Sequence, residues 1–149
     1  MPNPKARAAV LNASPEDAEA QFYDALRDGD LERVMAVWAD DEDVVCVHPG
    51  GTRLVGPAAV RAAFEAIFAN GTIVVHPEHV KRVHAMGSAV HSVLERVDVI
   101  TADGPQTGWI VATNVYAKTS QGWRMVAHHA SPGAPDEIAE DIDTPSVLH

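Results

Sequence analysis

Apolar positions in the first half of the chain recur at helical spacing, whereas in the second half they alternate. Ser14-Pro15-Glu16-Asp17 marks a helix start, with serine as N-cap, proline at the first helical position and acids in the first turn. Ala18, Phe22, Ala25 and Leu26 then share one stripe, and Gly29 supplies the stop. Asp30 caps a shorter second helix with Leu31, Val34, Met35 and Trp38 on its apolar side. The acidic run Asp40-Asp41-Glu42-Asp43 reads as a solvated turn. Val44–His48 is a short β-branched strand closed by Pro49-Gly50-Gly51. Gly56-Pro57 opens a third helix, whose buried stripe is Val60, Ala63, Phe64, Ile67 and Phe68 and whose end is Asn70-Gly71.

Beyond Gly71 the pattern has the period of a strand. Residues 72–83, 88–101, 107–119 and 123–130 read as a four-stranded meander joined at Met86-Gly87, Ala102-Asp103-Gly104-Pro105 and Ser120-Gln121-Gly122. Helices segregated beside an antiparallel sheet predict an α+β domain over residues 14–132, with the sheet curled over the first helix. Residues 1–13 read as a mobile arm and 133–149 as an acidic, irregular tail.

The last apolar run, Gly122–Pro132, ends in two adjacent histidines. If that strand is regular, Trp123, Met125, Ala127, His129 and Ser131 share one face, while Arg124, Val126, His128 and Ala130 share the other. One of His128 and His129 then lines a cavity, and parity leaves open which.

Composition narrows the field. A chain of 149 residues can bury a core as one domain. Cys46 is the single cysteine, which excludes an intramolecular disulfide and makes a reducing, cytoplasmic setting the expectation. A formal charge of −10 disfavours nucleic acid and anionic membranes as partners. No apolar run is long enough to span a bilayer, and the N-terminal apolar stretch is too short for a secretory signal.

Three segments carry a resemblance: Phe22–Leu31 with Trp38-Ala39-Asp40-Asp41, then Val44–Gly51 followed by Gly56, then Gly122–Pro132. Over residues 15–132 their order and spacing resemble the nuclear-transport-factor-2-like (NTF2-like) superfamily, in its SnoaL-like branch that includes ketosteroid-isomerase-like proteins. The final segment also looks like the association domain of calmodulin-dependent kinase. The resemblance implies a cone, a strongly curved antiparallel sheet wrapped around N-terminal helices with a pocket at the wide end. It also implies pairing of copies through the sheet. Ketosteroid isomerases of this branch have a catalytic Asp-Pro where this chain reads His48-Pro49, and a tyrosine where it reads Phe22. Tyr23 is about 100° further around the helix and is expected to face elsewhere. A steroid isomerase is therefore not expected.

His48 and His129 are the candidate catalytic residues, because imidazole titrates near neutral pH and both lie at strand ends. Trp38, Asn114, Tyr116 and His128 are candidate ligand-binding residues. Asparagine in mid-strand is disfavoured unless its amide is used, and Asn114 shares a face with Tyr116 near the level of the histidine pair. Glu95, on one face with His91, reads as an exposed or interface charge. Cys46 reads as a small buried hydrophobe. His76-Pro77-Glu78-His79 is rejected as a metal site, because proline breaks the element and no third ligand lies near. No metal and no cofactor are expected, and no phosphate-binding loop or nucleophile elbow occurs.

Two functions fit these residues. One is a pocket for a small apolar, oxygenated ligand, with acid–base chemistry of the isomerase, dehydratase or hydrolase type. The other is a non-catalytic binding or assembly module. A homodimer is expected in either case.

Overall fold

The computed structural model describes residues 13–71 and 74–134. The expectations for the N-terminal arm and the acidic tail lie almost wholly outside them. Helix α1 spans Pro15–Asp28; Ser14 Oγ accepts from Asp17 N–H, and Gly29 closes the helix with φ 63°. Helix α2 spans Leu31–Val37 from its Asp30 cap, and α3 spans Pro57–Ala69. The strands are β1 (Val45–Val47), β2 (Leu54–Val55), β3 (Val74–Ala85), β4 (Ser88–Thr101), β5 (Gly104–Thr119) and β6 (Gly122–Pro132).

The long meander follows the alternation of the sequence. Met86 and Gly87, both at positive φ, make the tight turn between β3 and β4. Non-local pairing adds the rest. The six strands form one curved, unclosed sheet in the order β2-β1-β6-β5-β4-β3. Within it, the short β1 runs parallel to β6, pairing Cys46 with His128. The helices pack against this sheet around a core that includes Phe22, Val34, Val37, Phe64, Tyr116 and Met125. The architecture is the expected α+β cone.

Two local expectations are corrected. Proline does not interrupt the element at Pro77: β3 runs through it, as the outermost strand of the sheet, with an irregularity between Glu78 and Lys81. An edge strand tolerates the missing N–H. The regular parity assumed for β6 also fails. Opposite β5, Val115 pairs with Ala127 while Tyr116 pairs with Met125, so Val126 is an extra, bulged residue. The bulge reverses parity within the strand. Met125 and His128, expected on opposite faces, are both buried on the inner side, and His129 is exposed.

Candidate functional site

The C-terminal end of α1, the loop after β1, helix α3 and the inner face of the sheet enclose a cavity of about 580 Å³. Its walls are mostly apolar, including Leu26, Phe64, Ile67, Val97 and Ile110. Arg27 and Asp28 are exposed at its edge, and three further titratable side chains interrupt the apolar wall: His48, Glu95 and His128.

Burial decides the protonation of each. Glu95 is 5% exposed, and burial raises its carboxyl to about 7, against a smaller opposing effect of the Tyr23 hydrogen bond. Burial lowers His128 to about 3, with His48 and His129 adding to the effect. Burial lowers His48 as well. Its ring meets Phe64 edge-on at 4.9 Å and lies 6.0 Å from the His128 ring.

A hydrogen-bond chain links two of the three groups. Tyr23 Oη donates to Glu95 Oε2 at 2.6 Å, Asn114 Nδ2 donates to Tyr23 Oη at 2.8 Å, and His128 Nδ1 lies 2.5 Å from Asn114 Oδ1. The directions fix one another. A hydroxyl that donates to the carboxylate must accept from the amide nitrogen, which turns the amide oxygen towards His128. His128 therefore donates from Nδ1 and holds its lone pair on Nε2. Each link costs little because every buried polar group in it is paired.

The elements explain why these residues meet. Glu95 lies on β4, opposite Ile110 of β5, and Asn114 lies four residues further along β5, opposite His128. Asn114 and Tyr116 share the inner face, where both are fully buried. Tyr23 completes the chain from α1. The expectation that it faces elsewhere is corrected: one stripe of α1 buries Phe22 in the core, and the adjacent stripe turns Tyr23 onto the sheet.

The other sequence-derived candidates separate. His48 and His128 line the cavity, whereas His129 is exposed outside it, which corrects its placement there. Asn114 lies behind His128, with its oxygen and one N–H committed to the chain. Tyr116 sits further along the seam, its ring 4.9 Å from that of His91. Trp38 lines a separate cavity beside Ala39 and Arg124, on another side of the domain. Cys46 is buried as expected, its thiol pushed up to about 12, and Sγ lies 3.5 Å from His48 Nε2. Glu95 is the residue that sequence reasoning missed, since it is a buried cavity group rather than an exposed or interface charge. Its one sequence signal was a shared strand face with His91, which is also buried.

Comparison with known proteins agrees with this architecture. A family model described as a SnoaL-like domain matches residues 16–135. Among solved structures, a Thiobacillus denitrificans protein provisionally named a calcium/calmodulin-dependent protein kinase type II association domain is 38% identical, with a TM-score of 0.76. The match covers 83% of this chain and 98% of that one. A provisionally named dehydratase of the NTF2-like family from Streptomyces avermitilis is 29% identical, with a TM-score of 0.70, over 78% of this chain and 92% of that one. The CaMKII hub of S. rosetta shares the fold at 21% identity and a TM-score of 0.64, over 89% of this chain and all of that one (100%). No curated protein matches the chain. With the family model spanning the helices and the entire sheet, the chain belongs to the SnoaL-like family of NTF2-like proteins.

Proposed function

We propose that the protein binds a small, largely apolar molecule bearing an oxygen function and acts on it by acid–base chemistry, as an isomerase, dehydratase or hydrolase. The observation that carries this reading is the contrast of protonation states inside one apolar cavity. Glu95 keeps its proton up to about pH 7, while the imidazoles beside it are held neutral. Groups whose environments push their protonation in opposite directions supply an acid and a base at the same pH. His48 is the better base of the two imidazoles, because at about 3 His128 is too weak to hold an abstracted proton. Glu95 is the acid. Tyr23, Asn114 and His128 hold it in place. The 29% identical neighbour provisionally named a dehydratase supports this class of chemistry.

The test uses a defined panel of apolar ketones and β-hydroxy ketones in deuterated water, with NMR following α-deuteration and loss of the hydroxyl. Protein-dependent exchange or dehydration is expected. It should fall by about 100-fold or more in His48→Ala and Glu95→Gln, the usual worth of a general acid or base. Turnover equal in wild type and both variants would overturn the assignment.

A second reading, assembly without chemistry, rests on the 38% identical neighbour provisionally named an association domain. Val83 and Val90, cross-strand partners on β3 and β4, are exposed and offer an apolar contact for a second copy. Light scattering of the full chain distinguishes a homodimer or larger assembly from a monomer.

A further inference from the structure

At the opposite end of α1 from the cavity lies a second cluster of titratable side chains. Glu16 comes from the first turn of α1, His84 from the end of β3, and His91 from the start of β4. The β3–β4 hairpin sets the two histidines on one face: His91 pairs with Arg82, so His84, two residues further along β3, is its diagonal neighbour. The rings are near-parallel, with centroids 5.9 Å apart. His84 Nε2 lies 3.0 Å and His91 Nε2 3.5 Å from the same Glu16 oxygen, and one donor atom from each residue falls within 4.8 Å of the others.

Two features point to a ligand. His91 is fully buried, yet among the described residues its Nε2 has no hydrogen-bond partner; at 3.5 Å the Glu16 oxygen is near without bonding to it. A buried polar nitrogen in that state calls for a partner. On the other side of the ring, His91 Nδ1 is 2.8 Å from Glu19 Oε2, and the Arg82 guanidinium holds Glu19 in turn at 3.1 Å. A carboxylate on Nδ1 fixes the tautomer with the lone pair on Nε2 and makes that nitrogen a stronger ligand, the usual outer support of a metal-bound histidine.

From this we infer that Glu16, His84 and His91 bind a divalent transition-metal ion of the Zn²⁺ type, tying the first turn of α1 to the β3–β4 hairpin. The donor set is two imidazoles and one carboxylate, which suits a borderline cation and leaves a fourth position for water. Donors about 2.0–2.2 Å from one tetrahedral ion lie roughly 3.3–3.5 Å apart, close to the spacings from Glu16. Arg82 opposes the ion, since its Nε is 3.8 Å from Glu16 Oε2; on binding, its guanidinium rests on Glu19 alone. Without a metal, the same residues are an ion-pair network between helix and hairpin, and the experiment separates the two cases.

Full-length protein stripped with a chelator is titrated with Co²⁺, read by the visible absorption of the four-coordinate ion, and then with Zn²⁺ in competition. The expected result is saturation at one ion per chain with a Kd of about 10 µM or tighter. His84→Ala, at a half-exposed position, and Glu16→Gln should each weaken binding by at least about 100-fold, and Glu19→Gln by about tenfold. His76→Ala, a histidine paired with Asp98 elsewhere on the sheet, should bind as wild type does. Absence of saturable binding, or equal binding by wild type, His84→Ala and Glu16→Gln, would overturn the site. Glu95→Gln should leave the titration unchanged, so this site stands or falls apart from the cavity chemistry.

Discussion

The two ends of α1 use one design for opposite purposes. Glu16, Glu19 and Tyr23 follow one another at helical spacing along one side of the helix, and each meets β4 or its neighbours. At the first-turn end the polar groups are half open to solvent: Glu16, His84 and Arg82 are exposed by 42–48%, over a buried His91 and Glu19. At the other end, Tyr23, Glu95, Asn114 and His128 are all buried, and burial pushes Glu95 and His128 towards their neutral forms. The difference teaches that solvent, not residue type, sets the chemistry here. Polar side chains near solvent pair with one another at one end, whereas at the other end burial pushes a carboxyl and an imidazole towards their neutral forms.

The largest effect should come from cutting the buried end at its centre. Asn114→Leu removes the acceptor of His128 Nδ1–H and the donor to Tyr23 Oη, leaving the first without its partner and the second with Glu95 alone in a dry site. A loss of about 3 kcal/mol is expected by urea denaturation. A loss below about 1 kcal/mol would mean that the chain is not held as described.

Next comes the pH dependence of stability. Glu95, raised in the folded state from 4.5 to about 7, contributes stability that is present below about pH 4.5 and lost as pH rises through about 7. His128 has the opposite sign. Lowered from 6.5 to about 3, it contributes stability present above about pH 6.5 and lost as pH falls towards 3. Between about pH 4.5 and 6.5 the two slopes oppose each other and the wild type should vary little. Glu95→Gln removes the falling slope on the alkaline side. Between pH 4.5 and 8 the variant should gain on wild type by an amount on the order of 3 kcal/mol, read from melts or urea curves across that range. A gap independent of pH would place the titration elsewhere.

The smallest effect sharpens the contrast between adjacent histidines. His129→Ala, at an exposed position, should change stability by about 0.5 kcal/mol or less and leave any cavity turnover unaltered. Parallel melts and turnover assays of the variant check both statements.

Much of the fold was legible along the chain because capping, breaking and alternation are local properties. Ser14 and Gly29 bound α1 through their own hydrogen bonds, and Gly56-Pro57 starts α3 at the expected residue. The buried cavity carboxyl was less legible. Glu95 and Arg96 are adjacent charges on a strand, and alternation alone does not say which face is concave. His48 and His128 were found because both stand at the inner ends of apolar strands. Parity left open which of His128 and His129 turns inward, and one bulged residue, Val126, resets the count between Met125 and His128.

The sequence by itself determined the order of the helices and of every strand but the two-residue β2, the long meander, and the family to which they belong. Tertiary structure alone decided which side chains meet. Parallel docking of β1 on β6 brings Cys46 beside His128, and the bulge turns His128 inward. The curve of the sheet around α1 brings Glu16 to His84 and Tyr23 to Glu95. The physical reason is distance along the chain. Caps and alternation act over a few residues, whereas each site joins residues 68 or more positions apart, whose encounter depends on how the whole sheet packs on one helix.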